Sequence, residues 1–208
     1  MAHNITICAI PKPVSEDHVT RYTHLRLAAL KTNPEAFGST FAGESAFSRE
    51  QWSQRVNNPA RTTFFAACAP SAIGDASLER DALGSYHHES NWIGTLSLLG
   101  PEMLRNVPFP AKIAEVELDK DAEIYMLTGM WVDPEFRKKG VGRQLIEQAV
   151  KSIDGSQDRG KKDRRKRFLL LEVTGANFAA QRLYESQGFM VELGATKEGK
   201  KWMALNVS

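Results

Sequence analysis

The stretch with the greatest capacity for chemistry is Arg137-Lys138-Lys139-Gly140-Val141-Gly142-Arg143. It lies inside Glu123–Val150, which reads as a strand, a tight glycine-containing turn and an amphipathic helix. Glycines at 140 and 142 let the backbone bend sharply and approach a ligand with no Cβ in the way. Such a junction aims several N–H groups and a positive helix end at one place, and the flanking Arg and Lys add charge-assisted contacts. That combination suits a phosphate or pyrophosphate. Two common phosphate motifs are absent, GxxxxGK[ST] and GxGxxG. A lone GVG between charged residues is also what an ordinary turn looks like.

Other clusters carry less. Cys8 and Cys68 fall in separate predicted strands with no CxxC pair, so zinc or iron–sulfur ligation has no support and a reducing compartment is expected. His87 and His88 are adjacent and cannot share a helix face, so no metal site is expected there. Residues 158–167, DRGKKDRRKR, carry a local charge of +5 in a chain whose total is +2. No aromatic residue interrupts that run, so it reads as a solvated loop or a nuclear-targeting signal, and nucleic-acid recognition is not expected.

The positioning elements follow from pattern. With 208 residues, 42% hydrophobic and 25% charged, the chain is sized for a single domain spanning 1–208. No signal peptide and no run long enough to cross a membrane is visible, so the location expected is cytoplasmic, or nuclear if the basic run is a signal. Residues 4–10 read as a first strand. A helix follows with Ser15 as N-cap and Val19, Tyr22, Leu25, Ala29 and Leu30 on its core face, ended by Asn33-Pro34. The segment 35–47 is loop-like but carries Phe37, Phe41 and Phe47, either as packing or as the wall of a groove. Ser48–Gln51 forms a capping box for a short helix with Trp52 and Val56.

Strands are expected at Thr62–Cys68, Trp92–Leu99, the stretch ending at Val132, Phe168–Val173, Phe189–Leu193 and Lys201–Val207. Pro101–Asp121 reads as a surface loop. FAAQRLYESQ, from Phe178, reads as a helix with Ala180, Leu183 and Tyr184 on one face, terminated by Gly188. This order implies an α/β (mixed α+β) fold: a mixed sheet of about six or seven strands covered by helices.

The junction resembles the acetyl-CoA signature of the GCN5-related N-acetyltransferase (GNAT) superfamily, Arg/Gln-x-x-Gly-x-Gly/Ala, filled by Arg137, Gly140 and Gly142. MWVDPEFR before it and ANFAAQRLYESQGF after it resemble two further blocks, with Asn177, Ala180, Tyr184, Gly188 and Phe189 at family positions. LRLAALKTNPEAFG and SREQWSQR resemble the opening helices of many members. The likeness covers most of the chain, leaving 71–90, 102–121 and 155–166 as insertions.

The resemblance implies a central strand that splays from FLLLEV, with acetyl-CoA as cosubstrate and no metal. Its pantetheine arm would lie along Met130, Trp131 and Val132, and its pyrophosphate against Lys138, Lys139, Gly140, Val141, Gly142 and Arg143, beside Arg137. Asn177 would orient the arm, cap the following helix, or do both. Tyr184 resembles the family's general acid. Some members place a glutamate as base where this chain has Met126, which leaves Glu123, Glu172 or ordered water for that role. A backbone amide near Met130 would polarise the carbonyl. Phe37, Glu44 and Tyr125 are the candidate acceptor contacts, Glu44 also reading as a solvated surface charge.

The expected activity is transfer of an acetyl group to a primary amine on a small molecule, peptide or protein, by a monomer or homodimer. A non-catalytic acyl-CoA-binding regulator and a transferase of another acyl group are the alternatives.

Overall fold

The computed structural model describes residues 4–68, 91–109, 122–154, 165–195 and 199–207. His87, His88 and residues 158–164 of the basic run lie outside them. Seven strands form one sheet in the order β1-β2-β3-β4-β5-β7-β6. They are β1 (Ile5–Ala9), β2 (Arg61–Cys68), β3 (Asn91–Leu99), β4 (Ala122–Val132), β5 (Lys166–Thr174), β6 (Met190–Ala195) and β7 (Lys200–Val207). All neighbours are antiparallel except β4 and β5, which run parallel.

Helix α1 (Glu16–Thr32) starts where Ser15 accepts from His18 N, and Asn33 ends it. Pro34–Ala36 forms a single 3₁₀ turn, and α2 (Phe41–Ser45) is a one-turn helix inside the segment expected to be loop. Thr40 creates it locally by accepting from Gly43 N. Helix α3 (Arg49–Asn57) opens on the expected Ser48–Gln51 capping box. A short α4 (Pro101–Leu104) replaces the start of the expected loop, because Leu104 is buried against Ile124, Leu170 and Trp202.

Helix α5 (Val141–Asp154) buries Val141, Leu145, Ile146, Ala149 and Ile153, a 3.6-residue stripe, in the main core. Helix α6 (Phe178–Ser186) adds Tyr184 to the same core, and Gly188 follows it at φ +86°. Helices α1 and α3 pack on the other face through Val19, Tyr22, Trp52 and Val56. No helix among the described residues is long and apolar enough to cross a membrane.

Two irregularities shape β4. Thr95 pairs with Trp131 but Ser97 with Thr128, so β4 carries one extra residue there, with Gly129 at φ +63°. This is a β-bulge, which bends the strand and raises its twist. The second irregularity is on the other edge. Pairing with β5 runs from Ala122↔Lys166 to Met126↔Leu170 and stops, although β4 continues to Val132 and β5 to Thr174. The sheet therefore opens beyond Met126 and Leu170.

Candidate active site

The opening between β4 and β5 leaves strand edges without each other as partners. Asp133 N donates to Ile93 O at 2.8 Å, which brackets the Gly94–Val132 pair and turns the Val132 backbone away from β3, toward the opening. An extended chain can pair with such an edge. The segment after α1 is tied to both sides of the mouth. Asn33 Oδ1 accepts from Trp131 Nε1 at 3.1 Å and from Arg137 Nη2 at 2.6 Å, while Glu35 O accepts from Thr174 Oγ1 at 3.3 Å.

The glycine junction lies at the mouth, and its parts divide into different tasks. Lys138 (φ +59°) and Gly140 (φ +79°) are both left-handed, so the turn doubles back before α5 begins. Gln144 N donates to Gly140 O, so the preceding N–H groups of Val141, Gly142 and Arg143 belong to the unpaired first turn. Those amides, on a fourteen-residue helix, form the anion-suited end.

Arg137 is held at the same mouth: its Nε donates to Val132 O at 2.9 Å and its Nη2 to Asn33. It braces β4 against the end of α1. Gly142 also differs from expectation. A Cβ there would sit 2.9 Å from Leu183 Cδ2 and 3.0 Å from Met130 Cε, so glycine is required for packing between α5, α6 and β4. Lys138, Lys139 and Arg143 are exposed; Lys139 Nζ lies 4.9 Å over the Phe136 ring and Arg143 is 3.7 Å from Glu147.

Tyr184 reaches into the opening. Its hydroxyl donates to Met130 Sδ at 3.4 Å, and its ring meets Phe189 edge-on. Burial pushes its hydroxyl up to about 12, so the phenol is protonated at neutral pH. Asn177 caps α6, its Oδ1 accepting from Ala180 N. Gln181, one turn before Tyr184, donates from Nε2 to Thr174 O and Gly175 O and accepts from Lys201 Nζ. It pins α6 to the end of β5 and so fixes where the phenol points. Gln181 carries no sequence signal beyond its place on the helix.

Neither glutamate proposed as base has the setting of one. Glu123 lies in the closed part of the β4–β5 ladder, roughly 20 Å along the strand from Met130. Its carboxylate meets Arg165 at 2.6 Å and Arg167 at 3.4 Å and accepts from Tyr125 Oη at 3.2 Å. Glu172 is exposed and pairs with Lys200 at 3.2 Å. Met126 packs at the closed end of the opening with Leu104, Ile124, Leu170 and Trp202.

The three candidate acceptor contacts do not gather. Tyr125 packs with the core under α5, on the opposite side of the sheet from Phe37. Glu44 is 3% exposed, so the surface-charge expectation is corrected. It accepts from Arg26 Nε at 2.9 Å, Arg26 Nη2 at 2.8 Å and Ser39 Oγ at 2.6 Å, and lies 3.4 Å from Arg55. Burial alone would raise the Glu44 carboxyl, but the Arg26 and Ser39 hydrogen bonds and the two guanidinium charges outweigh it and hold it below the usual range. Arg26 was missed from sequence, since a charge on the core face of a helix breaks the expected pattern. Its guanidinium lies 4.5 Å from the Phe37 ring centre. Among the described residues no group of His, Cys, Asp or Glu could hold a metal ion.

Residues 110–191 match the family model described as an acetyltransferase (GNAT) domain. Among solved structures, one similar to this chain is the acetyltransferase of GNAT family from Streptococcus pneumoniae, at 14% identity and TM-score 0.61, covering 99% of this chain and 100% of that one. Another is spermidine N-acetyltransferase from Vibrio cholerae in complex with CoA and spermine, at 15% identity, TM-score 0.57 and coverages of 97% and 95%. A third is an N-acyl amino acid synthase from uncultured soil microbes, at 10% identity, TM-score 0.60 and coverages of 99% and 92%. At these identities the structures speak for the fold. Comparison with curated protein sequences found no match.

Proposed function

We propose, from the match of residues 110–191 to the acetyltransferase (GNAT) domain model, that the chain moves an acetyl group from acetyl-CoA to a primary amine by direct attack. The observation that carries this reading is the opening beyond Met126 and Leu170, with the Tyr184 hydroxyl inside it. Strand edges that have parted in this way suit an extended pantetheine arm. The unpaired amides of Val141, Gly142 and Arg143 at its mouth suit the pyrophosphate. Met126 and its apolar neighbours fill the closed end, which favours a small acyl group.

In this reading each residue acts on a stated atom. The β4 edge at Met130 and Val132 holds the arm, and a backbone amide near Met130 stabilises the carbonyl oxygen as charge builds on it. The amine nitrogen bonds to the carbonyl carbon while the carbon–sulfur bond breaks. Tyr184 donates to the departing sulfur, in the way that it now donates to the thioether sulfur of Met130. Its phenol remains protonated and available throughout the neutral range. With Glu123 and Glu172 both ion-paired, the proton lost by the amine leaves through water.

The test is a panel of amines with acetyl-CoA, read by release of free thiol. Turnover of at least one amine, dependent on Tyr184, supports the proposal. Tight CoA binding with no turnover of any amine overturns it in favour of a non-catalytic binder.

A further inference from the structure

The face of the sheet under α1, α2 and α3 holds an unusual charge arrangement. Arg26 is 4% exposed, Arg61 8% and Glu44 3%, and Arg55 joins them through Glu44. Two guanidiniums thus share one carboxylate, with the buried Arg61 close enough to feel both. Buried charges are ordinarily paired, and each excess cation in a low-dielectric interior is costly until an anion meets it. Among the described residues, Arg26 Nη1, Arg55 Nε and Arg61 Nε are out of contact with solvent and have no hydrogen-bond partner. Burial lowers Arg61 below the usual guanidinium range, and the charges of Arg55 and Arg26 lower it further against the opposing effect of Tyr22. The three arginines therefore feel one another.

The cluster adjoins the proposed reaction centre. Arg26 Nη1 lies 3.7 Å from where a Gly129 side chain would begin, at the bulge one residue before Met130. The Phe37 ring also packs on that guanidinium and is itself only half-buried. A simple clamp of α2 to α1 needs one guanidinium for Glu44. It leaves the three orphaned nitrogens of Arg26, Arg55 and Arg61 unmet.

We propose that the acceptor amine carries a carboxylate, received beneath Phe37 by Arg26 with Arg55 and Arg61 behind it. With Arg26 Nε and Nη2 taken by Glu44 and Ser39, its Nη1 makes the contact, a charge-assisted hydrogen bond to a carboxylate oxygen. Proximity to the bulge sets the spacing: amine and carboxylate are a few bonds apart, as in an amino acid. The same positive field disfavours polyamine acceptors. Phe37 swings aside to admit the carboxylate. This inference rests on the transferase reading for the identity of its ligand as acceptor.

The experiment separates the two. N-acetylglycine and N-acetylglycinamide, product analogues that differ in the carboxylate, are titrated calorimetrically into the CoA-loaded full chain. The expected preference for N-acetylglycine is about tenfold or more, falling to about twofold or less in Arg26→Gln and partly kept in Arg26→Lys. Arg61→Gln gives a second reading should Arg26→Gln fail to fold. In parallel, kcat/KM is measured for alanine and alaninamide, and their ratio in wild type is divided by that in Arg26→Gln, which cancels the difference in amine basicity. Equal binding of the two analogues, binding of neither, or an unchanged preference in a folded Arg26→Gln overturns the carboxylate site. A carboxylate preference that Arg26→Gln removes, with no amine turned over, leaves the site standing and overturns the transferase reading.

Discussion

The Tyr184 hydroxyl and the Met130 sulfur, 3.4 Å apart, join α6 to β4 across the point where β4 and β5 have separated. One side chain thus reaches the only part of the described sheet where adjacent strands run unpaired in the interior. Tyr184→Phe keeps the ring and its edge contact with Phe189 but removes the proton donor. The expected result is a fall in kcat of about 10²–10⁴-fold, with CoA affinity changed less than about threefold. Steady-state thiol release and CoA titration check it.

The pH dependence follows from the same residue. Its folded value is raised to about 12, against about 10 in the unfolded chain. The stability that Tyr184 contributes is present below about pH 10 and lost as pH rises toward 12. The thiol-release rate should accordingly show no alkaline fall up to about pH 10 in wild type. A fall centred near pH 8 or 9 that Tyr184→Phe abolishes would contradict the assignment.

The two junction glycines should fail for different reasons. Gly140→Ala meets no atom nearer than 3.8 Å but must hold φ +79°, so about 1 kcal/mol of stability is lost through backbone strain. Gly142→Ala has no such strain, yet its Cβ would press on Leu183 and Met130. Overpacking of this kind costs about 1–3 kcal/mol. Because Met130 is the partner of Tyr184, Gly142→Ala should also lower kcat, which Gly140→Ala need not do. Thermal melts and kinetics of both variants distinguish the cases.

Asn33→Ala removes the shared acceptor of Trp131 Nε1 and Arg137 Nη2. A stability loss of about 1–2 kcal/mol is expected from two unmet donors, with several-fold weaker CoA binding as the mouth of the opening loosens. Denaturant melts and CoA titration read the two effects.

Glu44→Gln leaves Arg26 and Arg55 without their shared counter-charge. A loss of about 3–5 kcal/mol is expected at neutral pH. Because the folded Glu44 value is depressed, its stabilisation is present above the unfolded value of about 4.3 and lost as pH falls through the lower folded one. Wild type should therefore lose stability on acidification more steeply than Glu44→Gln, measured by melting temperature from pH 6 to 3.

The sequence by itself determined the local features. Ser15, Ser48 and Gly188 act where their types predict, because caps and left-handed turns depend on a few adjacent residues. Strand identities and the α5 stripe follow from periodicity in the same way. The family signature located the turn, though only the fold showed that Arg137 braces β4 and that Gly142 makes room for Leu183 and Met130.

What only the tertiary structure decided is long-range. No local pattern announces that Arg26 would be buried against Glu44, eighteen positions away, or that Arg167 would meet Glu123 across parallel strands. Glu123 and Glu172 looked alike as candidate bases because a carboxylate's role is set by its neighbours. Those neighbours come from other strands and from the register that joins them. The proposed cofactor side is written in a short contiguous stretch, whereas the proposed acceptor side is assembled from α1, α2, α3 and β2. Packing alone brings those four together.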